Sequence, residues 1–139
     1  MSVQSIIAMG PVIPVVIIEN IDDAIPLADA LIEGGIGTIE ITLRSAVALN
    51  AIALISKERP DITIGAGTVL NPLQMHKVQE AGADFVVSPG VYPELLKSAK
   101  DGEVAFLPGV ATASEMMLLL ANGLTAMKFF PATSLGGPA

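Results

Sequence analysis

Two kinds of residue in this chain have the chemistry for covalent work on a small molecule: a lysine set in an apolar run, and a carboxylate that shares a strand face with a guanidinium. Lys128 sits in Ala126-Met127-Lys128-Phe129-Phe130-Pro131, between Gly123 and Pro131. A short apolar run with such bounds reads as a buried strand. Lysine is almost never fully buried without a partner. Leaving water disfavours the ammonium form, so a lysine there shifts toward a free amine near neutral pH. A free amine attacks carbonyl carbons and forms a Schiff base. The competing reading is a strand-end lysine that snorkels its head into water. For the lysine judged alone, that plainer reading is the commoner one.

The second group lies in Thr38-Ile39-Glu40-Ile41-Thr42-Leu43-Arg44. Strand alternation puts Glu40, Thr42 and Arg44 on one face and Ile39, Ile41 and Leu43 on the other. An amphipathic edge strand has the same pattern. In a parallel barrel, however, helices cover the outer face, which must be apolar, so the polar face points inward. Charges held there are costly unless paired or functional. The same parity puts Lys128 with Ala126 and Phe130, away from Met127 and Phe129. In Ile64-Gly65-Ala66-Gly67-Thr68-Val69, Thr68 falls at the C-terminal end of a strand, and the two glycines permit close approach of backbone or ligand. Tight packing of barrel layers accounts for those glycines equally well. No third glycine completes a dinucleotide fingerprint. Together, Lys128 offers the amine, Glu40 a carboxylate able to move protons, and Arg44 and Thr68 the means to hold a substrate carboxylate.

The elements that must position these residues recur along the chain. Strand-like runs fall at Val12–Ile18, Thr38–Leu43, Ile62–Val69, Phe85–Ser88, Val104–Leu107 and Ala126–Phe130. Helical stretches lie between them: Asp22 to Glu33, Ser45 to Glu58, Pro72 to Glu80, Pro93 to Ala99, and one capped by Thr112 or Ser114. Gly35, Gly37, Gly82, Gly102 and Gly123 read as helix stops, and Pro89, Pro108 and Pro131 as strand exits. Such alternation predicts βα units and a parallel sheet. Six strands are visible, whereas a closed (β/α)8 barrel needs eight. The expectation is therefore either an open α/β fold or a single (β/α) barrel domain over 1–139, truncated before its last two βα units.

Composition narrows the partners. The chain has 139 residues and is 52% hydrophobic, with mean hydropathy +0.67, which fits strands covered on both faces. A formal net charge of −7 with no basic run argues against nucleic acid or an anionic membrane. With no cysteine there is neither a disulfide framework nor a thiolate metal site. Val12–Ile18 is too short to span a bilayer, and no targeting signal is apparent. His76, the single histidine, reads as a solvated helix residue, and no metal-ligand spacing occurs.

An ordered series of segments carries a family resemblance. They are Gly10-Pro11-Val12-Ile13-Pro14-Val15, Ile39-Glu40-Ile41-Thr42-Leu43-Arg44, Gly65-Ala66-Gly67-Thr68-Val69-Leu70, Ala81-Gly82-Ala83-Asp84-Phe85, Ser88-Pro89-Gly90, Pro108-Gly109-Val110-Ala111-Thr112 and Lys128-Phe129-Phe130-Pro131-Ala132. Each is weak alone, but the series is specific, and it resembles the KDPG/KHG aldolases. The resemblance implies a class I aldolase on a (β/α)8 TIM-type barrel that is cytoplasmic, commonly homotrimeric and free of cofactor and metal. It implies cleavage of 2-keto-3-deoxy-6-phosphogluconate (KDPG) to pyruvate and glyceraldehyde 3-phosphate. Lys128 then corresponds to the Schiff-base lysine and Glu40 to the acid/base. Arg44 and Thr68 correspond to the holders of the pyruvate-derived carboxylate, with Pro89 and Phe130 lining the pocket. Two alternatives stay open: a related aldolase acting on 4-hydroxy-2-oxoglutarate or 2-keto-3-deoxy-6-phosphogalactonate, and a catalytically incompetent barrel fragment kept as an assembly module.

Overall fold

Six strands, all parallel and each pairing only with its sequence neighbours, follow one another across a single sheet in the computed structural model, which describes residues 1–137. The strands are β1 (Val15–Val16), β2 (Thr38–Thr42), β3 (Thr63–Gly67), β4 (Phe85–Ser88), β5 (Ala105–Val110) and β6 (Lys128–Phe129). The helices are α1 (Val3–Ile7), α2 (Ala24–Glu33), α3 (Ala48–Glu58), α4 (Pro72–Glu80), α5 (Pro93–Asp101) and α6 (Ala113–Ala121). Strand order equal to chain order, with a helix between each pair, is the winding of a (β/α) barrel. The described residues supply six such strands and the five helices between them, a partial barrel.

Alternation divides the strands between two cores. Ile39, Ile41, Ile64, Ala66, Val86 and Phe106 point outward and pack with Ala28, Ala51, Ile52, Ile55, Met75, Val78 and Leu95 from the helices. A smaller inner cluster joins Phe85, Val87 and Ala105 to Ile6, with Leu107 and Ile13 at its margin. Ile6 belongs to α1, so this five-residue helix covers the inner cluster at the end where the strands begin. The short helix is held by a reciprocal cap: Ser2 accepts from the Ser5 backbone, and the Ser5 side chain accepts from the Ser2 backbone.

Expected boundaries hold within a few residues, with informative exceptions. Helix α1 is absent from the sequence expectation. The strand expected over Val12–Ile18 pairs only at Val15–Val16. Pro108 does not mark the exit of β5 but lies inside it. There the ladder changes partner, since Ser88 pairs with Pro108 on one side and Gly109 pairs with Lys128 on the other. A missing N–H is tolerated best at such a handover. Gly102 caps α5 in a right-handed conformation, and the next residue, Glu103, takes the positive φ, at 52°. Thr112 is confirmed as the N-cap of α6, forming a capping box with Glu115.

Candidate active site

Register decides which side chains meet. Val15 pairs with Glu40, and Glu40 with Gly65; one step along, Thr42 pairs with Gly67. These residues share the inner face. The Glu40 carboxylate is almost wholly enclosed, its side chain 5% exposed, and its Oε1 lies 3.7 Å from Nζ of Lys128. The two groups belong to β2 and β6, which are not neighbours in the sheet. Only curling of the sheet brings them across the interior. The Lys128 amine also lies 5.0 Å from the centre of the Phe130 ring, over its face, where a cation is attracted. The lysine side chain is 28% exposed, so the full burial expected of it is met only in part. It stands at the barrel mouth rather than within the core.

Burial pushes the Glu40 carboxyl above the usual carboxylate range; the Lys128 charge, its hydrogen bond and the Arg44 charge pull in the opposite direction without offsetting it. Arg44 Nε donates to Oγ1 of Thr68 at 3.4 Å. Thr68 follows β3 directly and has φ 57°, a left-handed conformation that is costly for a β-branched residue. Such strain concentrates where a side chain must be aimed. Ser88 Oγ donates to the carbonyl of Gly90 at 2.6 Å, tying down the loop that carries Pro89.

Glu40, Arg44, Thr68, Pro89, Lys128 and Phe130 all line one cleft of about 190 Å3, so every site residue expected from the sequence converges there. Val15, Ile17 and Thr42 complete the lining. Parity had set Thr42 beside Glu40 and Arg44 without giving it a role. Its hydroxyl donates to the carbonyl of Val16 at 3.1 Å, fastening β2 to β1 beneath the mouth. Val15 and Ile17 were not expected; their odd-numbered alternation was the available signal, masked by a run in which both faces are apolar. A larger hollow of about 320 Å3 lies elsewhere, between α1, α5 and the start of β5. It contains no amine and carboxylate in contact, and its Lys100 donates outward to Asn122.

An amine and a buried carboxylate thus face one another at the mouth of a partial parallel (β/α) barrel. The sequence model of the KDPG and KHG aldolase family matches residues 3–139, and the chain belongs to that family. It is 48% identical over 136 residues to the KHG/KDPG aldolase of Escherichia coli K12, covering 98% of this chain and 64% of that protein. It is 52% identical over 128 residues to the 2-dehydro-3-deoxy-phosphogluconate aldolase of Pseudomonas aeruginosa, covering 92% of this chain and 58% of the relative. The chain thus spans about three fifths of these relatives' length. Its fold matches the crystal structure of a Legionella pneumophila KDPG aldolase holding pyruvate as a covalent carbinolamine intermediate, with TM-score 0.93 and 48% identity, over 96% of this chain and 65% of that one.

Proposed function

We propose that this protein is a class I aldolase that cleaves KDPG to pyruvate and glyceraldehyde 3-phosphate. The observation that carries the reading is the Lys128–Glu40 approach of 3.7 Å, inside a cleft that also holds Arg44 and Thr68. Lys128, as the free amine, adds to the C2 ketone to give a carbinolamine, which loses water to form an iminium. The iminium accepts the electron pair of the C3–C4 bond. Glu40, through a water, removes the proton of the C4 hydroxyl, and glyceraldehyde 3-phosphate leaves. The remaining enamine takes a proton at C3 with help from Glu40, and hydrolysis releases pyruvate and the lysine. Arg44 and Thr68 hold the carboxylate next to C2, while Pro89 and Phe130 pack against the substrate. The covalent pyruvate adduct of the Legionella relative supports this chemistry.

The test is capture of the adduct. Incubation with pyruvate and borohydride, followed by digestion, is expected to find a reduced adduct on Lys128. An unmodified Lys128 in folded protein overturns the reading. Lys128→Ala is expected to abolish cleavage. Glu40→Gln is expected to keep adduct formation and slow the proton steps by about 10²- to 10⁴-fold.

A second substrate belongs to the same proposal. The Escherichia coli relative is a KHG/KDPG aldolase, which favours 4-hydroxy-2-oxoglutarate as an alternative; a structure described as native KDPGal, 32% identical with TM-score 0.83, keeps the galactonate analogue in view. Side-by-side turnover of the three substrates separates them. We also propose one barrel domain, of which the described residues form six strands and the five helices between them, acting as a cytoplasmic homotrimer. The unpaired edges of β1 and β6 support the first part, and the family resemblance supports the second.

A further inference from the structure

We propose that Gly67 is a positioning residue: the absent side chain of β3 is the seat of the Glu40 carboxylate. A Cβ built at Gly67 would overlap Oε1 of Glu40 and lie 2.8 Å from its Cδ and 2.9 Å from its Cγ. Real Cβ contacts rarely fall below 3.4 Å, so a methyl group there and the present carboxylate exclude one another. The displaced atom is the same Oε1 that faces the Lys128 amine at 3.7 Å. The obstacle is the far end of a flexible side chain rather than backbone. Gly67 is also not among the glycines with positive φ. An alanine therefore fits the strand's conformation, and the carboxylate is what must give way. The neighbouring Gly65 is different, because a Cβ there meets the packed ring of Phe85, at 2.7 Å from Cε1. One glycine of β3 makes room for the core, and the other makes room for chemistry.

The proposal rests on the aldolase reading, in which Glu40 moves a proton at C3 of the lysine-bound pyruvate. In that step the carboxylate takes a C3 proton from the iminium to leave the neutral enamine. Return of a solvent deuteron in D2O labels the methyl group. A displacement of about 1 Å can cost about 10²-fold in such a transfer. Gly67→Ala is thus expected to slow methyl exchange of pyruvate at least about 10²-fold. The half-saturating pyruvate concentration and the borohydride-trapped adduct on Lys128 should change little.

The experiment is a double-mutant cycle on the whole chain, with Gly67→Ala, Glu40→Gln and the pair together, read by proton NMR of pyruvate in D2O and by mass of the trapped adduct. If Gly67 acts through Glu40, the alanine slows exchange in the wild-type background and adds nothing to Glu40→Gln. Equal slowing in both backgrounds, or exchange at the wild-type rate in Gly67→Ala, overturns the proposal. A crystal structure of Gly67→Ala supplies the second reading: the Glu40 to Lys128 separation is expected to change by about 1 Å, and an unmoved carboxylate overturns the seat. The two ideas fail separately. A wild-type chain that traps no adduct sinks the aldolase reading and the proton role with it, whereas the crystal structure still judges the seat. A wild-type chain that forms the adduct but exchanges no methyl proton refutes the role given to Glu40 while sparing the Schiff base.

Discussion

Glu40 is costly where it stands. Its folded carboxyl binds a proton more readily than the unfolded one, because burial outweighs the attraction of Lys128 and Arg44. Between the ordinary glutamate range and the raised folded value, the native state holds more protons than the unfolded state. Stability therefore falls as pH rises through that window and is recovered on acidification. Glu40→Gln removes the ionisation while keeping the shape. The variant is expected to melt above the wild type at neutral pH, with the difference closing as pH drops below the ordinary glutamate range; scanning calorimetry across pH checks the sign. Thr68 gives a second prediction at this scale. Thr68→Gly relieves the positive φ and deletes the hydroxyl that accepts from Arg44. Folding stability is expected to stay within about 1 kcal/mol of wild type, while the half-saturating pyruvate concentration rises about tenfold, the amount set by loss of one charge-assisted hydrogen bond.

At the scale of elements, β3 and α1 control the inner core. Strand β3 is wholly buried, yet it presents glycine where its neighbours present Glu40 and Phe85. Gly65→Ala forces the Phe85 ring aside and is expected to cost about 1–3 kcal/mol in urea unfolding, a penalty that Gly67→Ala escapes. Helix α1 is far too short to be stable alone. Ile6, 2% exposed among Phe85, Val87 and Ala105, is its anchor. Ile6→Ala is expected to cost about 2–5 kcal/mol and to raise amide exchange throughout α1. The six strands were legible because each is a short apolar or alternating run, several of them bounded by glycine or proline. Helix α1 was not, since five residues hold too little periodicity to register and its helicity depends on a core assembled from distant strands.

For the molecule as a whole, the described sheet begins at β1 and ends at β6, and these two strands are paired on one side only. Side chains beside those edges stay open to solvent: Val15 at 55%, Ile17 at 49% and Phe129 at 42%. Unpaired, apolar edges recruit further strands. A polypeptide of residues 1–139 by itself is accordingly expected to grow in hydrodynamic size with concentration, and Phe129→Lys, which charges the β6 edge on the face away from the cleft, to suppress that growth in light scattering.

Residue types and their alternation were enough, before any coordinates, to put Lys128, Glu40 and Arg44 on one face of parallel strands and Thr68 at a strand's C-terminal end, because side-chain direction in a strand is a local property with a period of two; that Thr68 turns into the cleft depends on its left-handed backbone after β3. Distance across the barrel is not local. That β2 and β6 curl until an amine and a carboxylate lie 3.7 Å apart, that the lysine keeps some contact with water, and that Gly67 yields its space to Glu40 were decided by tertiary structure alone, since each depends on the register and curvature of strands far apart in the chain.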